Sequence, residues 1–340
     1  MSEFNIDQLL AQLYAAKSLS KAQSQAFFER VVQGEIDPII LSSVITALKM
    51  KGETTQEITG AANALLAHAA PFPRPDYDFS DIVGTGGDGL GTINISTASA
   101  FVAAACGLKV CKHGNRSVSS KSGSSDLLAA FGVNLNMTAE RARQCLDDLN
   151  VCFIFAPQYH AGMRFAAPVR AALKTRSIFN VLGPLVNPAR PAFELMGVYA
   201  PELLRPIAEV HKQLGMKRVM VVYGSGLDEV ALHGDTQVAE LNNGEISEYT
   251  LTPEDFGVQR YPLEAIVGGD AFENKAIIEK ILQGQGSAAQ QAAVAINVSA
   301  LLVLNGKADN FKDGTKQALD MMTTGTPLQR LKALAELSQC

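Results

Sequence analysis

The segment with the most chemical promise reads Gly84-Thr85-Gly86-Gly87-Asp88-Gly89-Leu90-Gly91 and runs into Asn94-Ile95-Ser96-Thr97, which opens a helical pattern. Five of the eight loop residues are glycine, which permits backbone angles closed to other residues and lets N–H groups approach a ligand. A helix N-terminus behind such a loop offers unpaired donors and a partial positive charge. Together they predict an anion site that needs few basic residues. The plainer alternative is a tight turn that holds nothing. Asp88 bears on the choice, because a carboxylate beside a bound pyrophosphate is repelled unless a cation or a hydroxyl lies between them. Ribose hydroxyls or a hydrated metal would supply that partner.

Two further segments carry candidate chemistry. Residues 112–125 read KHGNRSVSSKSGSS, with two lysines, one arginine, six serines and two glycines. That composition predicts a mobile loop folding over an anion, with a solvated linker as the alternative. Gly224-Ser225-Gly226-Leu227-Asp228-Glu229 follows an apolar run. Adjacent carboxylates at a strand end are candidate ligands for magnesium, a hard cation that prefers oxygen. An ordinary turn leading into an acidic helix start is the alternative. The loop also satisfies GxGxxG through Gly84, Gly86 and Gly89. A nicotinamide cofactor would want an acidic residue about twenty positions on, at the end of the second strand. The second strand runs instead into Lys112-His113-Gly114-Asn115-Arg116, and no GK[ST] follows the loop as a P-loop would require.

These segments need a scaffold. The first seventy residues look entirely helical. Ser20 with Gln23 and Thr54 with Glu57 have capping-box spacing, Asp37-Pro38 starts another helix, and Gly34 and Gly52 can end theirs. Leu41, Val44, Ile45 and Leu48 share one face, as do Ile58, Ala61, Ala62 and Leu65. Such wide apolar faces need cover, from a partner subunit or from the rest of the chain. Pro71-Phe72-Pro73-Arg74-Pro75 cannot continue a helix, so a boundary is placed there, with a helical domain over 1–70 and an α/β domain over 76–340. Short β-branched runs at 81–83, 108–111, 151–155, 195–199 and 219–223 alternate with helical patterns, which predicts a mainly parallel sheet with flanking helices. Residues 162–173 are helical in pattern and are expected to fold back toward the N-terminal helices, so that about 162–185 joins that domain.

Bulk properties narrow the class. The 340 residues are 47% hydrophobic and 19% charged, with a net charge of −5, so bulk attraction does not make this a binder of nucleic acid. Any phosphate must be captured by local geometry. The five cysteines are odd in number and none is spaced as CxxC, which points to reduced thiols in the cytoplasm. MSEFNIDQLL lacks a basic start followed by an apolar run, so no signal peptide is expected. The most apolar stretch, 288–304, is interrupted by Gln290, Gln291, Asn297 and Ser299 and reads as a buried helix, not a membrane span.

In this order the segments resemble the anthranilate phosphoribosyltransferases. The matches are 84–88 (GTGGD), 94–97 (NIST), 112–116 (KHGNR), 123–127 (GSSDL, where GSADL is common), 179–184 (FNVLGP) and 227–229 (LDE). The resemblance spans essentially the whole chain, and Ser125 is a small-for-small change within it. It implies a fold like that of the nucleoside phosphorylases and phosphoribosyltransferases, with a small helical domain, a larger α/β domain, and a homodimer formed through the helices. It implies that Gly84, Gly87, Asp88, Thr92, Asn94, Ile95, Ser96 and Thr97 hold phosphoribosyl pyrophosphate, with Lys112, Ser119, Ser120 and Ser124 covering it. Ser96, Asp228 and Glu229 would bind Mg²⁺, and Gly84, Asn115 and Arg170 would receive anthranilate. Lys112, Arg170 and His113 become the candidates for catalysis. The aniline-type nitrogen is weakly basic and loses its proton readily after attack, so His113 is expected to position and not to act as a base.

Overall fold

The computed structural model describes residues 4–116 and 122–339. Four helices come first: α1 (Ile6–Tyr14), α2 (Lys21–Gln33), α3 (Pro38–Lys51) and α4 (Thr55–Ala67). Local chemistry sets their ends. Ser20–Gln23 and Thr54–Glu57 form reciprocal capping boxes, Asp37 caps α3 with Pro38 at its first position, and Gly34 ends α2 in a left-handed turn.

Beyond Pro75 the chain alternates. It runs β1 (Ser80–Gly84), α5 (Ile95–Ala105), β2 (Val110–Gly114), α6 (Ser124–Ala130), α7 (Ala139–Leu149) and β3 (Val151–Phe155). Three short helices follow, α8 (Ala156–Tyr159), α9 (Ala167–Leu173) and α10 (Ile178–Leu185). Then come β4 (Phe193–Gly197), α11 (Leu204–Leu214), β5 (Arg218–Tyr223), β6 (Thr236–Asn242) and β7 (Glu245–Leu251). Helices α12 (Ala271–Ile281), α13 (Ala288–Leu304), α14 (Phe311–Thr323) and α15 (Thr326–Leu337) complete the chain.

The strands form one sheet in the order β3-β2-β1-β4-β5-β6-β7. The first five are parallel, and β6 and β7 add antiparallel. This hairpin was not among the expected strands. Its turn, Asn243-Gly244 with both φ angles positive, is the pair that a tight hairpin favours. Strands β2 and β4 also sit about two residues away from the apolar runs expected at 108–111 and 195–199.

Both sheet faces are covered, and β5 is accordingly apolar on both sides. In β5, Met220 and Val222 enter one core with α5 and α13. Val219 and Val221 enter the other, with α11 and the N-terminal helices. That second core also takes in Ala166, Val169, Ile178, Phe179 and Leu182. The 162–185 stretch thus packs on the N-terminal helices. Helix α13 spans the 288–304 stretch and is buried along most of its length.

Topology marks one place on this sheet. From β1 the chain crosses to β2 on one side, while β4 lies on the other. Between β1 and β4 the direction of winding reverses, and ligands of open parallel sheets bind at such a point, beyond the C-terminal strand ends. Gly84 and Gly197 end the two strands and pair in register there.

Candidate functional site

The glycine loop leaves β1 at this reversal point. Gly86, Gly87, Gly89 and Gly91 all have positive φ, so a side chain at any of them would be strained. Asp228 sits between the ends of β1 and β4. A Cβ on Gly84 would collide with its carboxylate and one on Gly197 with its backbone carbonyl, so both glycines are required by close approach. The Asp228 carboxylate accepts the Gly86 N–H at 2.6 Å. Glu229 accepts the Ser96 N–H at 3.2 Å and the Ser96 hydroxyl at 2.5 Å through the same oxygen. The acidic pair therefore clasps both the glycine loop and the first turn of α5, from 133 or more residues away. No helix follows the pair; it leads through irregular chain into β6.

Loop donors are divided. Thr85 N–H goes to Gly197 O, Gly86 N–H to Asp228 and Leu90 N–H to Asp88. Among the described residues no such bond engages the N–H groups of Gly87, Asp88 or Gly89, which remain available to an anion. Arg176 donates to the Gly87 carbonyl and lies over the Tyr199 ring at 4.2 Å. Since the peptide unit is planar and trans, fixing the Gly87 C=O also directs the Asp88 N–H the opposite way.

Lys112 departs from expectation. It belongs to β2 and not to a covering loop, it is buried, and its ammonium donates to Ile82 O at 2.6 Å. Four acids hold it from around: Asp81, Glu229, Asp228 and Glu194. His113 is also part of β2, 3% exposed, with its ring against His160 at 5.5 Å. Burial, then His160, lowers its pKa to about 3. A ring that stays neutral to such low pH is a poor proton acceptor.

The remaining expected residues are scattered in role. Asn94 donates to Ser122 O at 3.1 Å, and Ser124 donates to Asn115 O at 3.3 Å. Thr92 bridges to Val267, and Thr97 is buried in α5. Ile95 points into the large core and gives its N–H to Ile93 O, so neither group faces the loop. Asn115 is exposed. Arg170 has its guanidinium over Phe179 at 5.5 Å and its pKa lowered by burial. Ser119 and Ser120 lie outside the described residues.

Three residues that the sequence did not single out shape the site. Arg176 is one. Asp81 and Asn187 are the others: β1 and β2 register only at Ser80 and Val110, and beyond that point these side chains replace the ladder. The Asp81 carboxylate takes the His113 N–H at 3.3 Å, while Asn187 donates to Asp81 at 2.8 Å and to Cys111 O at 2.9 Å. A charged residue inside an otherwise apolar strand was the available signal.

Charge at the site is unbalanced. Burial, then Asp88, pushes Asp228 up to about 6, and burial, then Asp228, pushes Glu229 up to about 8. Among the described residues neither carboxylate has a Lys or Arg within ion-pair distance. The folded chain thus keeps a proton on Glu229 that the unfolded chain releases. This contribution to stability is fully present below the usual glutamate pKa of about 4.3 and is lost as pH rises through the folded value. Glu229→Gln should remove it. Thermal unfolding in divalent-free buffer at about pH 6 and about pH 8.5 should show the parent chain losing more stability than the variant at the higher pH. Equal losses would show that Glu229 is not held protonated.

Comparison with known proteins places this geometry. The helical bundle domain of a glycosyl transferase family matches residues 7–69, and the a/b domain of that family matches 76–328. Anthranilate phosphoribosyltransferase of Psychromonas ingrahamii is 85% identical over 340 residues, the whole of both chains. Among solved structures, anthranilate phosphoribosyltransferase (TrpD) from Thermus thermophilus is similar with a TM-score of 0.93 at 37% identity, covering 98% of this chain and 99% of that one. The Saccharomyces cerevisiae enzyme in complex with PRPP and Mg gives 0.91 at 27% identity, covering 99% of each chain. With such identity along its full length and both domains matched, the chain belongs to the anthranilate phosphoribosyltransferases.

Proposed function

We propose that the glycine loop, the first turn of α5 and the Asp228–Glu229 pair together carry the family's reaction. That reaction moves the phosphoribosyl group of phosphoribosyl pyrophosphate to the amine of anthranilate, giving N-(5-phosphoribosyl)anthranilate and pyrophosphate in tryptophan biosynthesis. The observation that carries this reading is the double clasp, Gly86 N–H to Asp228 and Ser96 to Glu229.

A divalent cation fits the clasp. Two adjacent carboxylates with raised pKa values and, among the described residues, no basic group in contact want a positive charge. Among the described residues no three acidic, histidine or cysteine side chains form a metal cage. Magnesium suits such a place, because it is commonly held by one or two carboxylates with waters and substrate phosphates. Asp228, Glu229 and Ser96 would hold Mg²⁺, which would supply neutralisation of charge on the leaving pyrophosphate.

The chain's own groups do the rest. The N–H groups of Gly87, Asp88 and Gly89 bind diphosphate oxygens, and the α5 terminus adds about 0.3–1 kcal/mol to an anion beside it. Lys112, from beneath, offsets the acidic pair with its positive field. The bond from the ribosyl anomeric carbon to oxygen breaks, and its electron pair leaves with pyrophosphate. The anthranilate nitrogen forms the new C–N bond, and its proton passes to solvent without a base. Since donors already in place stabilise the charge that grows on the leaving group, they act most strongly in the transition state. Orientation of the acceptor is the second effect, and Arg170, without a carboxylate partner among the described residues, is assigned to the anthranilate carboxylate.

The helical end carries the proposed homodimer contact. An open groove there is lined by Tyr14, Ile39, Ala47, Met50, Pro168 and Ala172. Ile39 is 79% and Met50 83% exposed, a degree of apolar exposure that a second subunit would cover. Cytoplasmic placement is supported by the four described cysteines, all free thiols.

Two tests follow. Arg170→Ala should raise KM for anthranilate roughly 10- to 100-fold, as loss of a charged hydrogen bond implies, and should leave KM for phosphoribosyl pyrophosphate nearly unchanged. Equal weakening of both would remove the carboxylate assignment. In sedimentation velocity the parent chain should run as a dimer and the Ile39→Asp/Met50→Asp variant as a folded monomer; a variant that stays dimeric would exclude this face.

A further inference from the structure

Asn274 lies in α12, far in sequence from the glycine loop, and is 1% exposed. Its Oδ1 accepts the Gly269 N–H at 2.8 Å, and its Nδ2 donates to Asn94 Oδ1 at 2.9 Å. Asn94 in turn donates from Nδ2 to Ser122 O at 3.1 Å. The two ends of this relay fix its polarity. A backbone N–H can only donate and a backbone C=O can only accept, so Gly269 demands an amide oxygen and Ser122 demands an amide nitrogen. Both side-chain amides are thereby held in one orientation.

The same stretch braces the approach to α5. Gly268 N–H donates to Gly91 O at 2.8 Å, Ile93 N–H donates to Ile266 O at 3.0 Å, and Thr92 bridges Val267. Residues 91–93 are thus clamped through the backbone, and the next residue, Asn94, is clamped through Asn274. A side-chain amide nitrogen carries two protons. One on Asn94 is given to Ser122, and among the described residues no acceptor takes the other.

We infer that Asn274 is a positioning residue for phosphoribosyl pyrophosphate: through the relay Gly269–Asn274–Asn94–Ser122 it turns the second N–H of Asn94 toward the ligand at the start of α5. This rests on the functional reading above. Asn274 itself touches no substrate.

Asn274→Asp tests the polarity directly. The introduced carboxylate still accepts from Gly269, but it presents a second acceptor to Asn94 Oδ1. Asn94 must then turn its amide over, which sets its oxygen against Ser122 O and withdraws the donor. KM for phosphoribosyl pyrophosphate should rise about tenfold, the loss expected for one hydrogen bond, while kcat and KM for anthranilate change little. Burial raises the introduced carboxyl, and its protonation restores a donor toward Asn94, so the ratio of variant to parent KM should fall between about pH 8 and about pH 6. Asn274→Ala, which has no proton to regain, should show the same KM defect with no such recovery, and it replaces the first variant if that one does not fold. An unchanged KM in the folded variant, or a parallel loss in kcat and in both KM values, would overturn the inference. Absence of turnover in the parent enzyme would instead count against the functional reading.

Discussion

Two adjacent carboxylates, the buried Asp228 and the half-buried Glu229, set the terms for everything around them. Taking such groups out of water is unfavourable unless something compensates, and here compensation comes from hydrogen bonds to Gly86 and Ser96 and from Lys112 beneath. Gly84 and Gly197 leave the room that the segment occupies. Hydrogen bonding alone does not neutralise the pair, as the upward displacement of both carboxyls shows. The arrangement is matched to a ligand that arrives with a divalent ion.

Beneath the loop the sheet itself is altered to serve this site. Strands β1 and β2 stop exchanging backbone bonds after Ser80 and Val110, and Asp81 and Asn187 satisfy the groups left over. Burial raises Asp81 to about 6 and also pushes Glu194 up. A layer of acids thus surrounds one lysine inside a parallel sheet, where apolar packing would otherwise continue. The chain forgoes core stability there in exchange for a fixed electrostatic floor.

Features set by near neighbours were legible in the sequence. The capping boxes at Ser20 and Thr54, the left-handed Gly34, the buried α13 and the glycine loop all follow from residues a few positions apart. The acidic pair could be singled out too, though not what it would clasp. Lys112 and His113 were misplaced because KHGNR reads as a basic loop when viewed alone. Their setting in β2 depends on Asp81, Glu194 and Asn187, which lie 31 or more positions away. The Arg176 contact to Gly87 and the Asn274 contact to Asn94 span 89 and 180 positions, and composition says nothing of them. The β6–β7 hairpin is different: its Asn243-Gly244 turn was present in the sequence, and only the alternation around it is weak.

If an unbalanced carboxylate pair is what the site is built around, affinity for phosphoribosyl pyrophosphate should depend on a divalent ion through those two residues. Calorimetric titration with and without Mg²⁺, on the parent chain and on Asp228→Asn/Glu229→Gln, measures this directly. The parent should bind at least about 100-fold more tightly with Mg²⁺, a difference of about 2.7 kcal/mol, and the variant should lose most of that dependence while remaining folded. Equal affinity in the parent with and without the ion would contradict the central claim.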